Sequence, residues 1–133
     1  MNEGMKFDEF NKEWLSHFAS NISKKDLQNK VVKTGNYIWH IFSWELIEEK
    51  EYSTGTKARQ EFDNIDKLGA WYIIPFEKRA VVQRLTAEYS TSKRLDEEIE
   101  IYVVARDFSW TYIKTHEGMC GPYFYKRKNV CKK

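Results

Sequence analysis

The sequence predicts an α+β (mixed α/β) domain, with helices packed against one sheet of about five strands. Three observations predict this class. Aromatic residues recur at helical spacing near the N-terminus, and two short apolar runs with a helical stretch between them lie in the middle of the chain. A β-branched and aromatic stretch from Ile99 to Tyr125 is divided by two groups of turn formers, which is typical of a three-stranded antiparallel meander.

The first element is an amphipathic helix with an aromatic face. Phe7, Phe10, Trp14 and Phe18 are spaced by three or four residues, and mostly polar residues separate them. This periodicity places the four rings on one side of a helix, where they can pack against a sheet.

A short second helix and a strand follow. Ser23 is a good N-cap, and Asp26, three positions later, gives a weak form of a capping box. The segment Thr34 to Asn36 breaks the chain. Tyr37–Trp44 is a continuous run of large residues without polar alternation, which predicts a strand covered on both faces, although so short a run is also compatible with the start of a buried helix.

Two further helices alternate with a strand in the middle of the chain. Ala58 and Phe62 share a helical face, and Gly69 is expected in the left-handed region that often follows a helix. Trp71–Ile74 reads as a short strand that ends before a proline. A helix is predicted from Glu77 to Tyr89, before the serine- and threonine-rich segment that leads to the meander.

Length and composition limit the possible functions. The 133 residues suit one domain, predicted to cover residues 1–133, and residues 127–133 are expected to form a frayed basic tail. The net charge of +2 gives no argument for nucleic acid as a partner. No apolar run is long enough to span a membrane, so we expect a soluble, cytoplasmic protein in which Cys120 and Cys131 stay reduced.

The meander carries the residues that we expect to bind a partner. Alternation predicts a mixed face, which comprises Arg106, Trp110, Tyr112, Lys114 and His116. The aliphatic face that includes Ile101 and Val103 is the obvious core side, so the mixed face is expected to be exposed. Since exposed aromatic rings are effective binding contacts, we expect a non-enzymatic module that binds another protein.

An enzyme, either a hydrolase or a transferase for small molecules, is the alternative. Asp107, His116, Glu117 and Cys120 are close in sequence, and a histidine paired with a carboxylate can act as a general base. No nucleotide-binding, hydrolase or metalloprotease motif is present, so neither a metal site nor a cofactor is predicted.

Several separated segments of the chain together resemble one known family. These segments are Trp39–Trp44, Ala58–Asp63, Asp107–Tyr112, Thr115–Glu117 and Gly121–Phe124. The family they resemble consists of small soluble bacterial proteins that are described only as a domain of unknown function. The resemblance implies a bacterial, cytoplasmic, single-domain protein, but it implies no activity, ligand or catalytic residue. A role as an immunity or accessory protein is suggested by analogy alone.

Overall fold

An antiparallel sheet lies at the centre of the structure, which is a computed structural model that describes residues 1–31, 37–44 and 46–127. The sheet has six strands in the order β1-β6-β5-β4-β2-β3. Its strands are β1 Tyr52–Thr54, β2 Trp71–Ile73, β3 Gln83–Arg84, β4 Ile101–Val104, β5 Trp110–Lys114 and β6 Tyr123–Lys126. The α-helices of the described residues are α1 Phe7–Phe18, α2 Lys24–Lys30, α3 His40–Ser43, α4 Gly55–Asn64 and α5 Ser92–Leu95.

The predicted class, the meander and three of the predicted helices are confirmed. Strands β4, β5 and β6 pair consecutively and antiparallel, and β2 adds to the other side of β4. The hydroxyl of Ser23 accepts the N–H of Asp26 at 3.1 Å, so the predicted cap opens α2. The sheet has one strand more than the expected number, because β1 and β3 were not predicted and one predicted strand is absent.

The prediction of a strand at Tyr37–Trp44 is wrong. This segment forms the short helix α3, in which the N–H of Trp44 bonds to the carbonyl of His40 at 2.9 Å. Ile38, Trp39, Ile41 and Phe42 are buried against one face of the sheet. A continuous apolar run fits a buried helical turn as well as a strand, and packing decided between them. The predicted break at residues 34–36 lies outside the described residues.

The prediction of a helix from Glu77 to Tyr89 is also wrong. Gln83 and Arg84 form the edge strand β3, which pairs with β2, and a short 3-10 helix follows at Ala87–Tyr89. The Val82 N–H and carbonyl bond to backbone groups of the N-terminal segment. These long-range backbone bonds replace the local helical ones.

Both faces of the sheet are covered. One core joins α1 and α3 to the sheet face that carries Tyr102, Val104 and Ile113. The other joins α4 and α5 to the face that carries Ile101 and Val103. Each strand therefore sends alternate residues into two separate cores, as expected for a sheet between two helical layers.

The predicted exposed mixed face does not exist, because two of its rings are core residues. Tyr112 lies opposite Val103 in the sheet, so both point to the face that α4 covers. Trp110 is 3% exposed and Tyr112 is fully buried. Phe62 of α4 stacks on Tyr112 at a centroid distance of 4.3 Å. The alternation along each strand is correct, but the pairing of β4 with β5 places Trp110 and Tyr112 on the same side as Ile101 and Val103, which was expected to be the core side, and not on an open opposite face.

The chain is held in place as far as Arg127, the first residue of the predicted tail. Its Nε donates to the carbonyl of Phe108 at 2.6 Å, and its backbone N–H bonds to Ser109 at 2.9 Å. Residues 128–133, including Cys131, lie outside the described residues. Among the described helices, none has the length and apolarity that crossing a bilayer requires.

Candidate functional site

The residues proposed from sequence as a site lie at two opposite ends of β5. Arg106 and Asp107 are in the β4–β5 turn, whereas His116 and Glu117 follow β5 at its other end. Strand β5 has five residues, and at ~3.3 Å per residue it separates the two groups by roughly 16 Å. Asp107 therefore cannot act together with His116, and the predicted cluster is divided.

Two other predicted contacts have structural partners. The Lys114 ammonium donates to the carbonyl of Glu98 at 2.8 Å. Cys120 is half-buried, and its thiol is hydrogen-bonded to Tyr123. Burial, with a smaller contribution from Cys120, raises the pKa of Tyr123 above its usual value. No hydrogen bond joins Cys120 to His116 within the described residues, so the structure gives this thiol no base.

A fully buried carboxylate holds His116 in place. Oε1 of Glu100 accepts the backbone N–H of His116 at 3.0 Å and lies 2.7 Å from Nδ1 of the same residue. Oε2 accepts the hydroxyl of Tyr102 at 2.7 Å. Burial and the neighbouring Glu100 raise the pKa of Tyr102 well above its usual value. Because a carboxylate can only accept, Nδ1 donates, and Nε2 is the ring nitrogen that remains for the surface.

His116 belongs to a continuous group of aromatic side chains, which we call the ring surface. It comprises Tyr37, His40, Trp44, Phe76 and His116. The ring centroids lie 6.0 Å apart for Trp44 and His40, 5.8 Å for His40 and Tyr37, 4.8 Å for Tyr37 and His116, and 5.5 Å for His116 and Phe76. These distances are typical of aromatic pairs in contact.

Local structure explains how these rings meet. His40 and Trp44 are four residues apart at α3, so they lie on the same side of its turn. Phe76 follows the end of β2, which is next to the start of β4 and therefore near Glu100 and His116. Trp39 lies beneath the surface, and its buried indole N–H has no acceptor among the described residues. A buried donor without a partner is rare in native proteins.

The sequence contains a signal for this site, the position of Glu100. Glu100 is the one acidic residue within the apolar stretch from Ile99 to Ala105. A carboxylate inside a covered strand needs partners, since an unpaired buried charge is very unfavourable. Its partner could therefore have been sought among nearby polar residues, of which His116 is one. Phe76 gave no signal, because only the pairing of β2 with β4 brings it near His116.

Comparison with known proteins identifies the family. The family model for a domain of unknown function, DUF4275, matches residues 2–124. The chain belongs to the DUF4275 family. No curated protein and no solved structure matches the chain. The DUF4275 match includes the whole ring surface and Glu100, and it confirms that the resemblance seen in the sequence was to a domain of unknown function.

Proposed function

We propose that this protein is a non-enzymatic binding module that captures a basic protein partner through the ring surface. The observation that carries the proposal is the continuity of these rings at the surface, where Trp44 and Phe76 are each 47% exposed. Contiguous exposed aromatic groups on a single chain are typical of interaction sites. Trp and Tyr are also the residues most enriched among the strongest contacts of interfaces.

The energy available from these two rings is sufficient to matter. Large aromatic side chains bury ~150–250 Å², so the exposed 47% of Trp44 and of Phe76 leaves roughly 100 Å² on each. At ~25 cal/mol/Å², covering both would contribute about 5 kcal/mol before the losses of association. A partner that covers this surface would therefore gain a substantial part of its affinity here.

The charges around the ring surface favour a basic partner. Oε2 of the exposed Glu117 lies 3.6 Å from Nε2 of His116, and Glu100 lies directly beneath. The faces of aromatic rings attract cations, above all the guanidinium of arginine. Acidic groups and ring faces are together complementary to Arg and Lys side chains.

This proposal fits the role expected from the sequence. A small bacterial, cytoplasmic protein that captures a basic protein would act as an immunity or accessory protein. That assignment rests on analogy.

The test compares three forms of the protein as bait in a lysate of its native host. The wild type is expected to retain a protein with a basic surface, and added salt should weaken its retention. The Trp44→Ala/Phe76→Ala variant should lose that protein. Leu68→Ala is the matched control, because Leu68 is 77% exposed but lies outside the ring surface. It should retain the partner.

Two results would contradict the proposal. One is retention of the same proteins by the wild type and by the Trp44→Ala/Phe76→Ala variant, with circular dichroism showing both folded. The other is a partner with an acidic surface whose retention survives the charge reversal Glu117→Lys.

A second candidate function rests on the 2.7 Å contact between Glu100 and His116. A buried carboxylate that orients an imidazole is the arrangement of many general bases. In a hydrolase, Nε2 would take a proton from water as the water oxygen attacks, and would then return it to the leaving group. A panel of chromogenic carboxylic and phosphate esters tests this candidate. Hydrolysis lost in His116→Ala but retained in Trp44→Ala/Phe76→Ala would favour the enzyme.

A further inference from the structure

A separate cavity lies at the opposite end of β5, between two turns. One turn connects α4 to β2 and contributes Asp66 and Lys67; the other is the β4–β5 turn, with Arg106 and Asp107. The cavity has a volume of about 250 Å³, and Trp110 and Lys126 also line it. Its size suits a small ligand, below the range of ~300–1,000 Å³ that is usual for drug-sized molecules.

Two cations of this cavity form no direct ion pair among the described residues, although the Asp107 carboxylate interacts electrostatically with one of them, Arg106. Arg106 and Lys126 are both exposed, and neither forms an ion pair or a side-chain hydrogen bond within the described residues. The side chain of Arg106 lies across Gly69, where a Cβ atom would come within 2.8 Å of Arg106 Cδ. Gly69 has a φ of +74°, so both its backbone conformation and the packing of the aliphatic part of Arg106 disfavour a side chain at this position.

A third cation is fixed in the wall. The ammonium of Lys67 donates to the carbonyls of Asp63 at 3.3 Å and Ile65 at 3.1 Å, near the C-terminal end of α4. Burial is the main cause that lowers the pKa of Lys67, and Asp63 and Asp66 partly oppose it. The ammonium also lies 4.8 Å from the centroid of the Phe62 ring, so Lys67 contributes its positive charge to the cavity rather than a free donor.

The two carboxylates of the cavity are turned toward their own loops. Oδ1 of Asp66 accepts the N–H of Leu68, and Oδ1 of Asp107 accepts the N–H of Ser109, both at 3.0 Å. These bonds shape the turns, as Asp side chains commonly do. With Lys67 charged, three cations face two acids, which leaves an excess of positive charge at the cavity.

We propose that this cavity binds a small oxyanion, either a phosphate group or a carboxylate group, between Arg106, Lys126 and Lys67. A guanidinium and two ammonium groups are the usual protein donors for such groups. The buried Trp110 also lines the cavity and gives it an apolar part of the wall. This site is separate from the ring surface, and it does not depend on the proposed function.

The test is a titration of the full chain with sodium phosphate, followed by NMR of the Ser109 and Leu68 amides at constant ionic strength. Saturable shifts of both amides are expected. Arg106→Ala/Lys126→Ala should weaken the affinity by about tenfold or more, since hydrogen bonds to charged groups are lost. Lys78→Ala/Arg79→Ala is the matched control, because it removes the same two charge types from exposed positions outside the cavity. It should leave the affinity unchanged.

A second variant tests the sign of the electrostatics. Asp107→Asn keeps an oxygen that can accept the Ser109 N–H but removes a negative charge. Phosphate should then bind roughly threefold more tightly, the size expected when one like charge is removed across a water-filled cavity. A purely structural role of the turn predicts no such gain. A parallel titration with sodium acetate distinguishes a phosphate-selective site from a general oxyanion site, and either result supports the proposal.

The proposal is overturned if phosphate and acetate both cause no saturable shift of either amide. It is also overturned if the shifts persist unchanged in a folded Arg106→Ala/Lys126→Ala variant, since the anion would then bind elsewhere.

Discussion

The two ends of β5 hold their carboxylates in opposite ways. At one end Glu100 is fully buried and has hydrogen bonds from Tyr102 and from two nitrogens of His116. At the other end Asp107 is exposed and accepts the backbone N–H of Ser109 in its own turn. The neighbouring Arg106 interacts with Asp107 electrostatically but forms no direct ion pair among the described residues. The same kind of group thus fixes a histidine in one place and leaves cations available in the other.

Burial explains this difference. A carboxylate away from water needs a full set of donors, so Glu100 joins the start of β4 to the loop after β5. Water solvates an exposed carboxylate, so Asp107 needs fewer protein partners. The buried end should therefore be sensitive to substitution for reasons of stability. The exposed end should tolerate substitution and respond mainly in its binding.

The largest difference in lost stability is expected between the Glu100→Ala and Asp107→Ala variants. Removal of Glu100 leaves the Tyr102 hydroxyl and two nitrogens of His116 without their acceptor, so we expect a loss of about 3–5 kcal/mol in the free energy of unfolding. Asp107→Ala should cost about 1 kcal/mol or less. Urea denaturation of both variants measures the difference. Equal losses would mean that the two ends do not differ as described.

The next largest difference in stability is expected between the substitutions of two buried tyrosines by phenylalanine. Tyr102 donates to Glu100, whereas the hydroxyl of Tyr112 is buried without a partner among the described residues. Tyr102→Phe should destabilise the protein by about 1.5–3 kcal/mol, because a hydrogen bond to a charged group is lost. Tyr112→Phe should be neutral or slightly stabilising, since it removes an unsatisfied polar group. Thermal unfolding of both variants measures the two effects. A larger loss of stability in Tyr112→Phe than in Tyr102→Phe would contradict the hydrogen bonding described for the two hydroxyls.

A smaller effect on stability is expected from substitution of the exposed apolar residue near each end of β5. Phe76 belongs to the ring surface and is 47% exposed, and Leu68 borders the cavity and is 77% exposed. Phe76→Ala and Leu68→Ala should each change stability by about 1 kcal/mol or less, because much of each side chain is already in water. If Phe76→Ala instead costs about 3 kcal/mol, a value typical of core phenylalanines, this ring is structural.

The smallest expected effect is the pH dependence of stability that Asp107 contributes. The hydrogen bond from the Ser109 side chain is the main cause that lowers the pKa of Asp107 from its ordinary value of 3.8. Its stabilising contribution is therefore complete above the unfolded-state pKa and is lost as pH falls through the lower folded-state pKa. Because Asp107 is exposed, the contribution is a few tenths of a kcal/mol.

Asp107→Asn isolates this contribution. The stability difference between the wild type and this variant should shrink as pH falls from 5 toward 2. An increase of this stability difference as pH falls would show that folding raises the pKa of Asp107 instead of lowering it.

Local pattern correctly predicted the elements whose periodicity is unambiguous. The spacing of the aromatic rings was sufficient to predict α1, and the β-branched content was sufficient to predict the strands of the meander. The capping hydroxyl of Ser23 marked the start of α2. The run at Tyr37–Trp44 is apolar on every side, so it carried no information on its period. Residues 77–89 have helical spacing, but backbone bonds to β2 and to the N-terminal segment prevailed.

The sequence alone determined that Trp110 and Tyr112 share one face and that the last third of the chain forms paired strands, because alternation is a property of the local backbone. Only the tertiary structure decided that α4 covers this face. It also decided that His116 meets Glu100, sixteen positions earlier, and that Asp107 is far from both. Burial and strand register arise from contacts between distant parts of the chain, and no local pattern specifies them.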